Sequence, residues 1–467
     1  MDILFLLYNK RKKEVDVMIK FKNYEDKDYL DVCNFLIKLN QENKDYRHWN
    51  WARFEWMYEH PYFNKDDMHK IGLWYDDNEI IGVAIYDMYM GEAFVGTLNK
   101  YQYLYQDILK YAWDILKDDK GLGIAISDDN DYLIEKALDF GFFKAEAKET
   151  ITSISLEKEF NYVLPKEIKI EEVNFGDAYE LSFAIFQGFN HGNDEEEFKK
   201  DYQEPIWRKH QNPYLQLKAL NENNKIVGYC GFWYDEKTDY AYIEPLCVIP
   251  EYRKLGIGKA LIYEGLNRSR KLGAKVAFVL SDKDFYFKIG MQKEKTFNFY
   301  WKKIEMFAND KKYQIDKLLG KGKGGYSYLA KDGDSFVVLK QIHHEPCDYY
   351  QFGNKIEAEK NDYEKLINVG IRMPKMINID LEKEIIIKEY IDGKTIDEMI
   401  RNNEDINIYI EQLKEMALKA KSCGLNIDYY PTNFVVNNQK LYYIDYECNQ
   451  YDPKWNLENW GLKYWIK

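Results

Sequence analysis

Proline, histidine and cysteine are scarce in this chain, at 10, 7 and 6 of 467 residues. No Ser/Gly-rich or Pro-rich stretch marks a flexible linker. The cysteines (Cys33, Cys230, Cys247, Cys347, Cys423, Cys448) form no C-x-x-C pair, and no histidine stands at metal-ligand spacing. This excludes the common zinc and disulfide frameworks and points to reduced thiols. No stretch approaches the ~18 apolar residues of a membrane span. The opening MDILFLL run is too short for a signal-peptide core and leads into NKRKKE, so a cytoplasmic location is expected. A basic excess is also lacking: 66 Lys and Arg face 79 Asp and Glu, a net charge of −13. That disfavours non-specific nucleic-acid binding and suits a cationic partner.

What is present is apolar and aromatic residue in quantity, 46% and 16% of the chain, with 41 Tyr and 11 Trp. Disorder is therefore excluded, and at roughly 150 residues per domain the length predicts about three domains.

Residues 70–160 and 215–305 read alike. In the second copy LQLKAL (215–220), an NENN turn and KIVGYCGFWYD (225–235) predict a hairpin. The strand YAYIEPLCV (240–248) follows, then a helix from Gly256 to Leu272, the strand KVAFVLS (275–281), a short helix ending at Gly290 and a last strand pair over 295–304. The first copy has KIGLWYD (70–76), EIIGVAIYDM (79–88), EAFVGTL (92–98), a helix over 105–116, GLGIAIS (121–127), a helix over 131–142 and a closing strand ITSISLE (151–157). Amphipathic helices are expected upstream of each copy, near 28–40 and 177–187. The copies differ at the turn after the third strand.

In the second copy that turn reads Val248-Ile249-Pro250-Glu251-Tyr252-Arg253-Lys254-Leu255-Gly256-Ile257-Gly258-Lys259-Ala260-Leu261. Two residues without side chains let backbone N–H groups approach an anion. The following helix start adds unpaired donors and partial positive charge. Arg253 and Lys254 add full charges, and the set suits a pyrophosphate. The string V-x-P-x-x-R-x-x-G-x-G-x-x-L resembles the acyl-CoA signature of the GNAT acetyltransferase superfamily, over roughly 165–305.

The resemblance implies that acetyl-CoA pyrophosphate rests on Arg253, Lys254, Leu255, Gly256, Ile257, Gly258 and Lys259. It implies that the pantetheine arm pairs with Leu246, Cys247 and Val248. Tyr286, four residues before Gly290, would protonate the departing thiolate, with Met291 where the family usually has Phe. Glu244 would take the proton of the acceptor amine, unless it is only a solvated strand residue. The acidic run Asp194 to Glu197 reads as a helix start, or as an attractor of the amine. The first copy resembles a GNAT domain without this signature. Its aromatic string, His48 to Trp56, reads as helix packing, with lining of an acceptor cleft as the alternative.

Beyond about residue 311 the pattern changes. Gly320-Lys321-Gly322-Lys323-Gly324-Gly325 precedes FVVLK, which ends at Lys340. A helix carries Glu359, and the strand EIIIKEYIDG (384–393) follows. Asp428 and Asn433 stand five apart, and LYYIDYE places Asp445 at a strand end. The order resembles the protein-kinase and antibiotic-phosphotransferase superfamily over 313–447. By that resemblance Gly320, Gly322 and Gly325 cover nucleotide phosphates, and Lys340 contacts them, paired with Glu359. Glu389 to Ile391 form the hinge, Asp428 accepts a hydroxyl proton, and Asn433 and Asp445 hold Mg²⁺. Asn426 departs from the family, which usually has His there, and only 22 residues follow Asp445.

The expected fold class is α/β and α+β multidomain: two GNAT folds, each a mixed, mostly antiparallel sheet flanked by helices, plus a reduced kinase-like fold. The expected organisation is an extension over 1–17, a degenerate GNAT-like domain over 18–160, a GNAT domain over 161–308 and a compact kinase-like domain over 311–467. The expected activity is N-acetylation by acetyl-CoA of an amine on a small molecule or protein, with ATP and Mg²⁺ in the last domain. One alternative is an enzyme that also phosphorylates a small molecule such as an aminoglycoside. The other is acetylation regulated by a nucleotide-binding pseudokinase. Residues 1–160 hold 21 basic against 31 acidic residues, so a net of −10 sits on the copy without the signature.

Overall fold

The computed structural model describes residues 19–60, 63–202, 212–345 and 353–466. The expected extension over 1–17 and Cys347 lie outside them. The chain divides into two compact units at Lys302/Lys303.

The first unit holds both repeats. Repeat one runs β1 (Ile19–Asn23), α1 (Tyr29–Glu42), α2 (Trp51–Glu59), β2 (Gly72–Asp76), β3 (Glu79–Asp87), β4 (Tyr89–Thr97), α3 (Tyr105–Tyr111), β5 (Gly121–Ser127), α4 (Asp131–Asp139) and β6 (Phe143–Ser155). Repeat two runs β7 (Lys169–Glu172), α5 (Ala178–Gly188), α6 (Glu195–Asp201), β8 (Gln216–Leu220), β9 (Ile226–Tyr234), β10 (Tyr240–Val248), α7 (Ile257–Leu272), β11 (Val276–Leu280), α8 (Asp284–Lys288) and β12 (Gln292–Lys303).

All twelve strands form one sheet, in the order β1-β2-β3-β4-β5-β12-β6-β11-β10-β9-β8-β7. The closing strands are exchanged. β12 of repeat two lies beside β5 of repeat one, and β6 of repeat one pairs with β11 of repeat two, Val276 opposite Ser155 through Leu280 opposite Ile151. Where a strand pair is expected over 295–304, one continuous strand stands. Its partners come from the other copy, which no local pattern encodes. The core follows the exchange: Trp233, Tyr240, Tyr242, Phe278, Phe297 and Tyr300 of repeat two are buried in the hydrophobic cluster of repeat one.

The aromatic string packs as helix support. Asn50 caps α2 by accepting from the N–H groups of Ala52 (3.0 Å) and Arg53 (3.1 Å). Trp49, Trp51 and Phe54 are buried, and Trp49 stacks on Phe94 at 5.5 Å. The acidic run serves a helix start. Asp194 accepts from the N–H groups of Glu196 (2.9 Å) and Glu197 (3.2 Å) at the head of α6.

The second unit has a six-stranded sheet of β13 (Glu305–Ala308), β14 (Lys311–Lys321), β15 (Gly325–Asp332), β16 (Ser335–Ile342), β17 (Met376–Asp380) and β18 (Ile385–Glu389). Its order is β13-β14-β15-β16-β18-β17. The helices α9 (Lys355–Val369), α10 (Ile396–Arg401) and α11 (Asn407–Ser422) belong to a second, larger core with Phe434, Tyr443 and Trp465. Near the chain's end Trp465 packs on Phe434 at 5.1 Å and donates its indole N–H to the carbonyl of Tyr429 at 2.8 Å.

Candidate functional site

Strand β10 is where the repeats diverge first. Its pairing with β9 shifts register between Ile243 and Leu246, a bulge at Glu244-Pro245. The bulge pushes the Glu244 carbonyl towards β9. A Cβ on Gly231 would lie 2.5 Å from that oxygen, so only glycine fits, and the Trp233 indole donates to it at 2.8 Å. β10 and β11 pair from Tyr240 to Tyr242 and then part, just before the bulge. In repeat one β3 and β4 keep register from Gly82/Thr97 to Tyr86/Ala93, with no bulge at the matching point. The turn was therefore not the sole difference between the copies. A proline inside a central strand was the sequence signal for the bulge.

Beyond β10 a short turn leads into α7. Gly256 caps this helix with φ of 87°, a left-handed backbone that disfavours any side chain. The first helical bond runs from Ala260 N–H to Gly256 carbonyl at 3.0 Å, and no side chain caps the helix. The N–H groups of Ile257, Gly258 and Lys259 therefore precede the helical ladder. No atom lies within 4 Å of where a Gly256 Cβ would stand, whereas a Cβ on Gly258 would meet Phe285 at 3.5 Å and Val248 at 3.6 Å. Lys254, Leu255 and Lys259 are exposed there, while Ile257 is anchored in the core.

Arg253 has a structural role besides the expected one. Its Nε donates to the Val248 carbonyl at 2.9 Å and its Nη2 to the Gly188 carbonyl at 2.8 Å. It braces the turn against the end of α5, with part of its donor set already spent.

Glu244 is half-buried and its carboxyl is pushed up to about 7. Burial is the cause. The Arg53 charge, the Tyr242 hydroxyl and Lys283 partly offset it. Tyr286 on α8 is buried, and burial, then Cys230 and Glu244, raise its phenol further. The two groups thus share one electrostatic environment at the parted end of β10. Arg53, on α2 of repeat one, escaped the sequence reading as a site residue, since its link to Glu244 depends on the exchanged sheet. Cys247 is buried against Gly188, and burial pushes its thiol up to about 12, away from the thiolate form.

In the second unit Lys340 lies on β16 and Glu359 on α9. Lys340 Nζ is 2.5 Å from Glu359 Oε1 and 3.3 Å from Asp445 Oδ1. Burial alone would lower its pKa, but the Asp445 and Glu359 carboxylates raise it. Asp428 is raised by burial and by Asp445, and the Asn433 side chain bonds to it. Residues 322–324 connect β14 to β15, and the Gly322 N–H closes this turn on the Gly325 carbonyl at 2.9 Å. Gly320 and Gly322 have open space beside them. Gly325 differs: a Cβ there would lie 2.3 Å from the Gln341 carbonyl, so strand pairing demands this glycine. Gly324, which the sequence reading did not single out, faces the ion pair, with its Cβ position 2.9 Å from Glu359 Oε1.

Glu389 ends β18, where its N–H donates to the Lys375 carbonyl at 2.9 Å, and Ile391 follows half-buried. The preceding Lys388 was also missed. It is buried, donates to the Ile444 carbonyl at 2.6 Å, and is pushed down to about 8 by burial and the Lys340 charge. Among the described residues no group of three or more His, Cys, Asp or Glu could hold a metal, and no helix is long and apolar enough to cross a membrane.

Residues 177–291, from α5 to just past α8, match the model of the Acetyltransferase (GNAT) family. A curated relative, the uncharacterized N-acetyltransferase YhbS of Escherichia coli strain K12, is 28% identical over 82 residues, 17% of this chain and 49% of its own length. The chain thus spans about half the length of the curated relatives it matches. Among solved structures, a GCN5-related N-acetyltransferase from Sphaerobacter thermophilus is 14% identical with a TM-score of 0.40, over 61% of this chain and 95% of that one. A tandem GNAT protein from the clavulanic acid biosynthesis pathway is 11% identical with a TM-score of 0.39, over 61% and 98%.

Proposed function

We propose that the chain is an acetyl-CoA-dependent N-acetyltransferase acting on an amine through repeat two. One observation carries this reading: the helix start at Gly256 follows, through one short turn, the parted β10 that bears Glu244. The N–H groups of Ile257, Gly258 and Lys259, with the charge of Lys254, would hold the pyrophosphate. The backbone of Leu246 to Val248 would align the pantetheine arm. The bound cofactor would supply an acetyl thioester. Glu244 takes the proton from the acceptor ammonium, and a carboxyl near 7 is tuned for that at neutral pH. Tyr286, held protonated by burial, keeps a proton ready for the leaving sulfur.

Calorimetry of the whole protein with acetyl-CoA tests the cradle. Saturable binding is expected, weakened at least roughly tenfold in Gly256→Glu/Gly258→Glu, where two carboxylates enter the anion space. No binding by the wild type, or undiminished binding by the variant, overturns the reading.

For the second unit we propose a kinase-like nucleotide site. Its support is the Lys340 ammonium bridging Glu359 and Asp445 beneath the 322–324 turn. Asn433 and Asp445 are oxygen donors of the type Mg²⁺ takes. Bound Mg²⁺ would neutralise nucleotide phosphate charge, and Lys340 would then turn from Asp445 to the phosphates. Asp428, its carboxyl raised by burial, would be the group that accepts a hydroxyl proton if phosphoryl transfer occurs. Mg-ATP is expected to bind, and Lys340→Met to weaken it about tenfold. Equal affinity of the two proteins in equilibrium dialysis would remove Lys340 from the site.

A further inference from the structure

One buried cation of the second unit has no part in the proposed nucleotide contacts. Lys388, near the end of β18, is only 6% exposed. Lysine is seldom buried so deeply unless it is paired. Yet among the described residues its Nζ has no carboxylate partner, and its hydrogen bond goes to the Ile444 carbonyl at 2.6 Å.

The sheet sets the direction of this side chain. Lys340 of β16 lies opposite Ile386, and Val338 lies opposite Lys388. Residues two apart on a strand share a face, so both lysines project from the same side. Both reach one short segment, Ile444-Asp445-Tyr446. Lys340 Nζ is 3.3 Å from Asp445 Oδ1, and Lys388 grips the residue before it.

That segment is held at each residue. The Ile444 N–H donates to the Asn433 carbonyl at 2.9 Å, so the stretches bearing the two expected metal ligands meet here. The Lys388 ammonium also lies over the Tyr446 ring, 4.8 Å from its centre. This ring packs on Tyr363 of α9 at 4.8 Å, and its hydroxyl donates to the Pro374 carbonyl at 2.9 Å. The Tyr446 N–H donates to Asp445 Oδ1 at 2.8 Å. Asp445 thus stands between two residues that touch the same ammonium. An apolar side chain of similar length would fill this space without the cost of burying a charge. What the ammonium adds is a charge-assisted hydrogen bond, stronger than a neutral one.

We propose that Lys388 is a positioning residue of the kinase-like site, holding Ile444 and Tyr446 so that Asp445 keeps its place when Lys340 leaves it for a nucleotide's phosphates. The inference rests on the nucleotide reading of the second unit. Lys340 bridges Glu359 and Asp445, and a phosphate would compete for it. Lys388 is bound to backbone and ring, which a phosphate does not displace. Loss of Lys388 should therefore harm the part of nucleotide affinity that Mg²⁺ adds at Asp445. The metal-free part, supplied by Lys340 and the 322–324 turn, should be spared.

The test is calorimetry of the full chain with ATP, once in EDTA and once in excess Mg²⁺. The wild type is expected to bind at least roughly tenfold more tightly with Mg²⁺. Lys388→Met should cut that gain to less than about threefold, with affinity in EDTA unaltered. Binding in EDTA also reports that the variant is folded. Tyr446→Phe keeps the ring under the ammonium but frees it from Pro374, and its gain should fall between the other two. An undiminished gain in Lys388→Met overturns the proposal, and so does an equal loss with and without Mg²⁺. Should that variant not fold, an undiminished gain in Tyr446→Phe overturns it instead. A wild type that binds ATP equally well in both conditions overturns this inference and leaves the nucleotide reading standing. No ATP binding by the wild type in either condition overturns both.

Discussion

Repeat two expressed alone, as residues 161–308, is expected not to fold. Excision strips β11 of its partner β6 and leaves β12 with no neighbour on either side. It also exposes Trp233, Tyr240, Tyr242, Phe278, Phe297 and Tyr300, which are buried against repeat one. At about 1.5–3 kcal/mol for each large apolar side chain, the loss is roughly 9–18 kcal/mol. That is comparable to the ~5–15 kcal/mol that stabilises a whole domain. The fragment should show no cooperative urea transition by circular dichroism, whereas residues 19–302 should show one. A monomeric fragment with a sharp transition would mean that the exchange is dispensable.

The second large effect concerns Glu244. Glu244→Gln is expected to lower kcat by roughly 100- to 10,000-fold, the usual range for removing a general base. The assay would use an acceptor amine found by mass-spectrometric screening with acetyl-CoA. The pH profile separates a base from a structural residue. Only the ionised carboxylate accepts a proton, and burial has moved its ionisation to about 7. Activity of the wild type should therefore rise with pH, half-maximal near 7, and this limb should vanish in Glu244→Gln. Arg53→Met should move the limb to higher pH, because the Arg53 charge favours the ionised form. Stability should run the other way. A carboxyl whose folded pKa is raised stabilises fully below its unfolded value and loses that contribution as pH rises through about 7. Urea midpoints of the wild type should thus fall relative to Glu244→Gln across that window. A profile with no limb near 7 would assign Glu244 to packing alone.

Much of each candidate site was legible in short segments. A helix start needs a particular backbone, and Gly256 and the string around it announce that backbone locally. Lys340, Glu359, Asp428 and Asp445 likewise announce themselves by type and order. Other residues have packing roles that depend on what lies against them. Arg253 reads as a free cation, yet two carbonyls that only the fold brings near take its donors. Gly325 reads as a phosphate neighbour, yet the approach of Gln341 across the β15–β16 ladder explains it. Arg53 and Lys388 carried no signal, since a single arginine in an aromatic helix and a single lysine in a strand are ordinary locally.

By itself the sequence determined the elements, the repeat, the helix start suited to a pyrophosphate, and the acidity of the first copy. These depend on periodicity and residue type, which neighbouring positions express. Only the tertiary structure decided that the copies exchange β6 and β12 and that an arginine of one copy lies within electrostatic reach of a carboxyl of the other. Strand partners and electrostatic neighbours far apart in the chain follow from register and burial, and no local pattern records them.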